Sequence, residues 1–396
     1  MIKIDEVKSV VNFDEYVALR REMHKFPATG FEETFASGVV QKKLTELGIP
    51  FKANIAVTGV VATIAGKTNK SGKAIGFRAE MDALDIVEKS GQPWSSTIPG
   101  KMHGCGHDGQ TATLLAVAEY LSKTRNFDGT VQLIFQPAEE GLGGAYRMIE
   151  EGVAETYPVE AYFGYHNWPG LPLGEFGTRE GYFCASSDRF EIEIKGRGGH
   201  AAWPEKSINP IAIGAQIVQA YNSIIGPEIS TFEQAVLSIC NIHAGVGAMN
   251  VIPETLILNG TVRTYSLKVK AHLMNAMENR ARAIATSMGA EIDYKYYDVI
   301  GAVYNNPKAT QFALATARKL GVGPVRDDME PTMGGDDFGA WSQKASGCYM
   351  PIGQGMPDAN SPHNHSLHSP HYDYNDLLMP IAAGYYAQLA EDYLPA

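Results

Sequence analysis

The chain is predicted to be an α/β protein on a mostly parallel sheet, with a smaller α+β unit inserted into it. Three observations lead there. Through the first half, short uninterrupted apolar runs alternate with helical patterns, the mark of strands buried on both faces between helices. After Ser186 the strands change to an alternating pattern with one wet face. After Tyr304 the helices and apolar runs resume. At 396 residues the chain exceeds one ordinary core, which makes two domains the expectation.

Taken in order, Phe13 to Lys25 carries apolar residues at helical spacing, and Pro27 lies just past its end. Ala36 to Leu47 is a second helix, stopped by Gly48. Val60 to Ile64 and Ala74 to Phe77 are short runs of strand type. Thr111 to Leu121 is a strong helix directly after a glycine-rich loop. Val131 to Phe135 and Val159 to Tyr165 read as buried strands. Phe190, Ile192 and Ile194 then alternate with Glu191, Glu193 and Lys195. A helix from about Asn209 to Ile225 follows, then strands Ala235 to Ile242 and Thr255 to Arg263. The helix Leu267 to Met288 and the strand Glu291 to Val299 complete the unit. The order βαββαβ is ferredoxin-like, with helices on one face. The expected division is 1–185 and 304–396 as one domain, interrupted by 186–303.

Composition narrows the function. The chain is 44% hydrophobic and 19% charged, a globular profile, and no apolar run approaches a membrane span. The start, Met1 to Glu6, is too polar for a signal peptide. Four widely separated cysteines suggest no disulfide framework, so a reducing cytoplasm is the expected location. A net charge of -11 argues against a nucleic-acid surface, which needs a basic stripe. It does not bear on a small substrate, because charge within a cleft can oppose the global sign.

The chemistry concentrates in a few short runs. Met102-His103-Gly104-Cys105-Gly106-His107-Asp108-Gly109 packs a thiol, two imidazoles and a carboxylate between glycines. Thiolate and imidazole are ligands that transition metals take, and two positions apart they can be aimed at one point. Alone, the run reads equally as a glycine loop with a structural thiol. Gln136-Pro137-Ala138-Glu139-Glu140-Gly141 follows a buried strand, where groups of open α/β sheets gather. One glutamate could bind metal while the other moves protons, or both could be solvated charges opening a helix. Tyr165-His166-Asn167-Trp168 follows the next strand. The stretch from His363 to His371 holds four of the 11 histidines. Singly, each of these histidines is more readily read as structural than as catalytic.

In combination, HGCGHDG, QPAEEG, YHNWPGLPLG, GRGGHAAWP, NVIPE…GTVR and LHSPHYDY occur in this order. Together they resemble the peptidase M20 family of metal-dependent amidohydrolases. The branch is that of hippurate hydrolases, indole-acetyl-amino-acid hydrolases and N-acyl-amino-acid amidohydrolases. The resemblance runs from about Leu19 to Asp376. It implies an aminopeptidase-like catalytic domain with an inserted lid and dimerisation domain, and a homodimer or higher homo-oligomer. It implies two divalent ions per subunit (Zn, Mn, Co or Ni) on Cys105, His107, Glu140, His166 and His368, with Cys105 bridging. Glu139 falls on the general-base position. Asp82 falls on a position that orients a ligand imidazole, although by itself it reads as a turn or cap. His200 matches a histidine that stabilises the oxyanion, and Asn250 and Arg263 match positions that bind a substrate carboxylate. The implied reaction cleaves the amide of an N-acyl or N-aroyl amino acid. Short peptides or aminoacyl conjugates are the alternative substrates. A thiolate shared by two cations is expected to resist alkylation and to become reactive once metal is stripped.

Departures accompany the match. Relatives usually read RADMDALP where this chain has Glu80 and Asp85. Gln110 stands where histidine is common, Ala28 where glutamate is frequent, and Asp336 where glutamate is usual. None removes a ligand position or Glu139. A Cys-His hydrolase with Cys105 as nucleophile is a different reading, but it leaves Glu140, His166 and His368 unused. A non-catalytic binding protein on the same fold is a third, and the intact ligand set argues against it.

Overall fold

The computed structural model describes residues 3–396, which form two compact units. The first comprises the chain up to Phe183 with Val303–Pro331 and Asp337–Ala396. Its central strands, Thr130–Gln136, Ala74–Glu80, Ala161–Pro172 and Ser346–Gly355, are neighbours in that order and run parallel. The hairpin Phe51–Ile55 and Gly59–Ala65 joins one side antiparallel, and the two-residue strands Phe176–Gly177 and Val325–Arg326 close the other. The sheet is therefore mixed but mostly parallel, as the apolar runs predict. The helix His107–Thr124 is buried from His107 to Leu121 and packs against the helices Phe13–Lys25 and Leu378–Tyr393. An element enclosed on every side needs an apolar surface all round, which Ala112 to Leu121 supplies.

The second unit comprises Cys184–Ala302 with Thr332–Asp336. Its antiparallel sheet has the order Ala235–Ala244, Thr255–Thr264, Ser187–Lys195, Glu291–Ile300, the ferredoxin-like arrangement. The helices Pro210–Asn222 and Leu267–Ser287 pack on it and enclose a core that includes Ile192, Ile194, Ile213, Leu256, Leu273 and Met277. Both helices start on side-chain caps. Asn209 accepts from the Ile211 amide at 3.0 Å, and Ser266 from the Val269 amide at 3.4 Å.

Two elements differ from the sequence expectation where it matters. The helix expected from Thr111 begins at His107. His-Asp-Gly-Gln has poor helix propensity, but Gly109 and Gln110 close the first turn on the Gly106 carbonyl. The strand expected to stop at Tyr165 runs on to Pro172. Its extension follows a parallel partner that is far away in sequence, with Pro351 opposite His166.

Candidate metal centre

Loops and strand ends at the carboxyl edge of the parallel sheet bring five donors together. Cys105, His107 and His166 form one group and Cys105, Glu140 and His368 another, each with donor atoms within 4.8 Å of one another. Cys105 belongs to both. His107 with Glu139 and Glu140 forms a third such group. The Cys105 sulfur lies 3.4 Å from His166 Nε2, and Glu140 Oε1 lies 3.3 Å from His368 Nε2.

Local structure explains the convergence. Gly106 has φ +90°, and a Cβ there would lie 2.5 Å from the Tyr372 hydroxyl, so only glycine fits between Cys105 and His107. After strand Thr130–Gln136, Ala138 takes a left-handed conformation at φ +54° and turns the chain sharply into Glu139 and Glu140. His368, also at positive φ, donates its amide to the Gly104 carbonyl at 2.8 Å, which ties the late histidine to the cysteine loop.

Hydrogen bonds leave the imidazole lone pairs aimed inward. His107 Nδ1 is 3.2 Å from Asp82 Oδ1 and 3.0 Å from the Asp82 carbonyl, while its Nε2 is buried with no hydrogen-bond partner among the described residues. His166 Nδ1 lies 2.9 Å from the Asn167 carbonyl, which leaves Nε2 to face Cys105. A buried nitrogen without a partner beside a thiol and carboxylates fits a cation. Burial disfavours a charged His107, but the Asp82 hydrogen bond and the charges of Glu80, Asp82 and Glu140 lift its pKa to about 10. Asp82 also accepts the Glu140 amide at 2.8 Å, so one carboxylate holds the His107 ring and the Glu140 backbone.

Residues 76–392 match the model of peptidase family M20/M25/M40. An N-acetylcysteine deacetylase of Bacillus subtilis is 36% identical over 380 residues, 94% of this chain and 95% of that protein. This chain belongs to peptidase family M20/M25/M40. A hippurate hydrolase of Campylobacter jejuni is likewise 36% identical, across 96% of this chain and 97% of its own. The crystal structure of a dinuclear metal-binding peptidase of the M20 family from Bacillus subtilis superposes with a TM-score of 0.80. That structure is 33% identical and covers 96% and 98% of the two chains. This M20 chain is thus an enzyme that hydrolyses amide bonds.

The remaining expected residues of the M20 enzyme lie in the second unit. His200 pairs with Val251 in a two-residue ladder, and the neighbouring Ala201 amide donates to the Asn250 carbonyl at 3.0 Å. His200 Nδ1 accepts the Ala202 amide at 3.1 Å, so the neutral ring carries its proton on Nε2 as a donor. Arg263, near the end of strand Thr255–Thr264, is half-buried, and its guanidinium makes no hydrogen bond or ion pair among the described residues.

The departures are accommodated. Glu80 pairs with Arg78, which also binds Asp337 at 2.6 Å and Gln136 at 2.9 Å beneath the Glu139 turn. Gln110 donates to Asn167 at 3.2 Å, and Asp85 is exposed. Sequence reasoning missed a buried ionic group behind the cysteine loop. Arg20 bonds Asp373 at 3.2 Å and Asp376 at 2.9 Å, while His24 bonds Asp108 at 2.8 Å. Burial opposes charge on His24, yet Asp108 and Glu88 lift its pKa to about 9. The signal was present in Tyr16, Arg20, Met23 and His24, a helical stripe whose buried face includes two charged residues.

The surroundings of Cys105 bear on its expected reactivity. Burial and then the charges of Glu140, Glu139 and Glu80 push the Cys105 thiol up, a setting opposed to the low-pKa thiol that the sequence led us to expect. A nucleophilic cysteine needs an electropositive setting, and this one is acidic. In metal-free protein at about pH 8, iodoacetamide is expected to label the exposed Cys240 and to spare Cys105. Labelling of Cys105 should rise only at more alkaline pH. Mass spectrometry of the labelled peptides checks this, and equal labelling of the two thiols would refute it.

Proposed function

We propose that this M20 enzyme cleaves the amide of an N-acyl or N-aroyl amino acid to a carboxylic acid and a free amino acid. We further propose two divalent ions, Zn, Mn, Co or Ni, held by Cys105, His107, Glu140, His166 and His368. The supporting observation is that Cys105 belongs to two donor groups at once, with Glu139 within 4.8 Å of His107 and Glu140 donors. When bound, such ions polarise a carbonyl and lower the pKa of water. Glu139 then takes the proton of the attacking water and delivers it to the leaving amine. Asp82 keeps His107 in the ligating tautomer. His200 donates from Nε2 to the developing oxyanion. Arg263 and Asn250 bind the substrate carboxylate, a role supported by a guanidinium that has no hydrogen-bond or ion-pair partner among the described residues.

Assembly as a homodimer through the second unit is part of the proposal. The edge strand Ala235–Ala244 and the loop beyond it expose Ile242, Val246, Met249 and Val251, an apolar patch of the kind that marks an interface. A reducing cytoplasm suits the four free cysteines, and no helix among the described residues is long and apolar enough to cross a membrane.

The test is hydrolysis of N-acetyl amino acids, N-benzoyl amino acids and dipeptides, before and after chelation and after reloading with each ion. Activity on acylated amino acids that disappears with chelator and returns with metal is expected. Preference for dipeptides would move the assignment to a peptidase, and chelator-insensitive turnover would remove the metal from the reaction.

A further inference from the structure

Glu33 is a buried carboxylate far in sequence from the motifs that define the site, 1% exposed. It sits at the end of the segment that follows the first long helix. Its Oε1 accepts the Ala138 amide at 2.8 Å and the Phe31 amide at 3.0 Å, and its Oε2 accepts the Thr58 hydroxyl at 2.6 Å. Ala138 is the residue before Glu139 and holds the left-handed conformation that a side chain rarely adopts. Gly30, in the same segment as Glu33, lies under it, and a Cβ on Gly30 would meet the Ala138 Cβ at 2.8 Å. The segment is anchored in turn, because the Ala28 carbonyl accepts the Ala83 amide at 2.9 Å. On the far side of Glu139, Asp82 accepts the Glu140 amide. The amides on either side of the Glu139 residue are therefore held by two different buried carboxylates.

We propose that Glu33 is a positioning residue that holds Ala138 in its left-handed turn and thereby aims Glu139 and Glu140 at the donor cluster. The physical reason is local. A left-handed alanine is unfavourable by itself and reverts to ordinary backbone unless its surroundings fix it. A hydrogen bond from the Ala138 amide to a buried carboxylate fixes it, and Thr58 and Phe31 fix the carboxylate. Reversion would rotate the following residue and swing both glutamates together. Burial and the charge of Asp82 raise the Glu33 pKa. Both amide bonds fall on one oxygen, which stays an acceptor in either protonation state, so the device does not depend on ionisation.

The inference rests on the proposed roles of Glu139 and Glu140, and the experiment separates the two. Glu33→Ala, Glu33→Gln, Ala138→Gly and the double variant Glu33→Ala/Ala138→Gly are compared in kcat, KM, melting temperature and affinity for Mn or Zn by competition with a chromophoric chelator. Glu33→Ala is expected to lose about 30-fold or more in kcat with KM little changed, and to bind the ion more weakly. Glu33→Gln keeps the accepting oxygen and should regain most of both. Ala138→Gly adopts the left-handed turn without the side-chain penalty. It should recover about fivefold or more of the Glu33→Ala loss. A role confined to stability would move the melting temperature and would not be rescued at kcat by a glycine at 138. If Glu33→Ala does not fold, Glu33→Asp, one methylene shorter, carries the same comparison. Wild-type kcat and ion affinity in Glu33→Ala or Glu33→Asp, or a loss that neither Gln nor Gly recovers, would overturn the proposal. Failure of the wild-type protein to bind ions would sink the metal reading instead.

Discussion

Replacing Glu139 by glutamine is expected to leave ion binding intact and to lower turnover by about 10²–10⁴-fold, the usual contribution of a positioned general base. Glutamine preserves size and keeps a carbonyl oxygen toward its neighbours, but it cannot accept and return a proton at neutral pH. Glu139 is buried at the start of the turn, and its side-chain donor lies within 4.8 Å of those of His107 and Glu140. Elemental analysis beside initial rates checks the prediction. A fully metallated Glu139→Gln variant with near-normal rates would remove Glu139 from the mechanism. Loss of metal together with rate would make it a ligand, a role that its grouping with His107 and Glu140 also permits.

Arg263→Ala is expected to cost at least about tenfold in kcat/KM for a free-acid substrate and little for the matching amide. A charge-assisted fork to a carboxylate is worth roughly 1.5–3 kcal/mol. The guanidinium has no protein partner to lose among the described residues, so the variant removes a recognition group without uncovering a buried charge. Burial and Arg189 oppose its charge while Asp188 favours it, and an arriving carboxylate would tip that balance further toward the cation. Paired kinetics on acid and amide substrates decide it. Equal losses on both would assign Arg263 to the fold of the second unit.

Most of the architecture was legible because its signals are local. The helix Phe13–Lys25 was read to its end residues from apolar spacing and the proline beyond it. The four long strands and two long helices of the second unit were each read to within about three residues of their observed bounds, because one-sided burial writes a clear period into the sequence. Boundaries failed where long-range pairing decides them. The strand through His166 continues because Ser346–Gly355 lies beside it, and no pattern near residue 166 records a partner so distant. The start of the helix at His107 was hidden by the Asp-Gly pair, which local propensity assigns to a loop.

The sequence by itself determined the family, the two-part fold and the candidate set of metal-binding residue types, because ordered motifs and hydrophobic periods are properties of the chain. The tertiary structure decided the rest. It brought Cys105 and His368, 263 positions apart, into one donor group with Glu140, and it fixed which imidazole nitrogens face inward. It also set Cys105 among carboxylates that push its thiol up and gave Glu33 a place beneath the Glu139 turn. The reason is physical. A pKa or a hydrogen-bond acceptor acts through the charges and donors a few ångströms away, and only folding decides which residues those are.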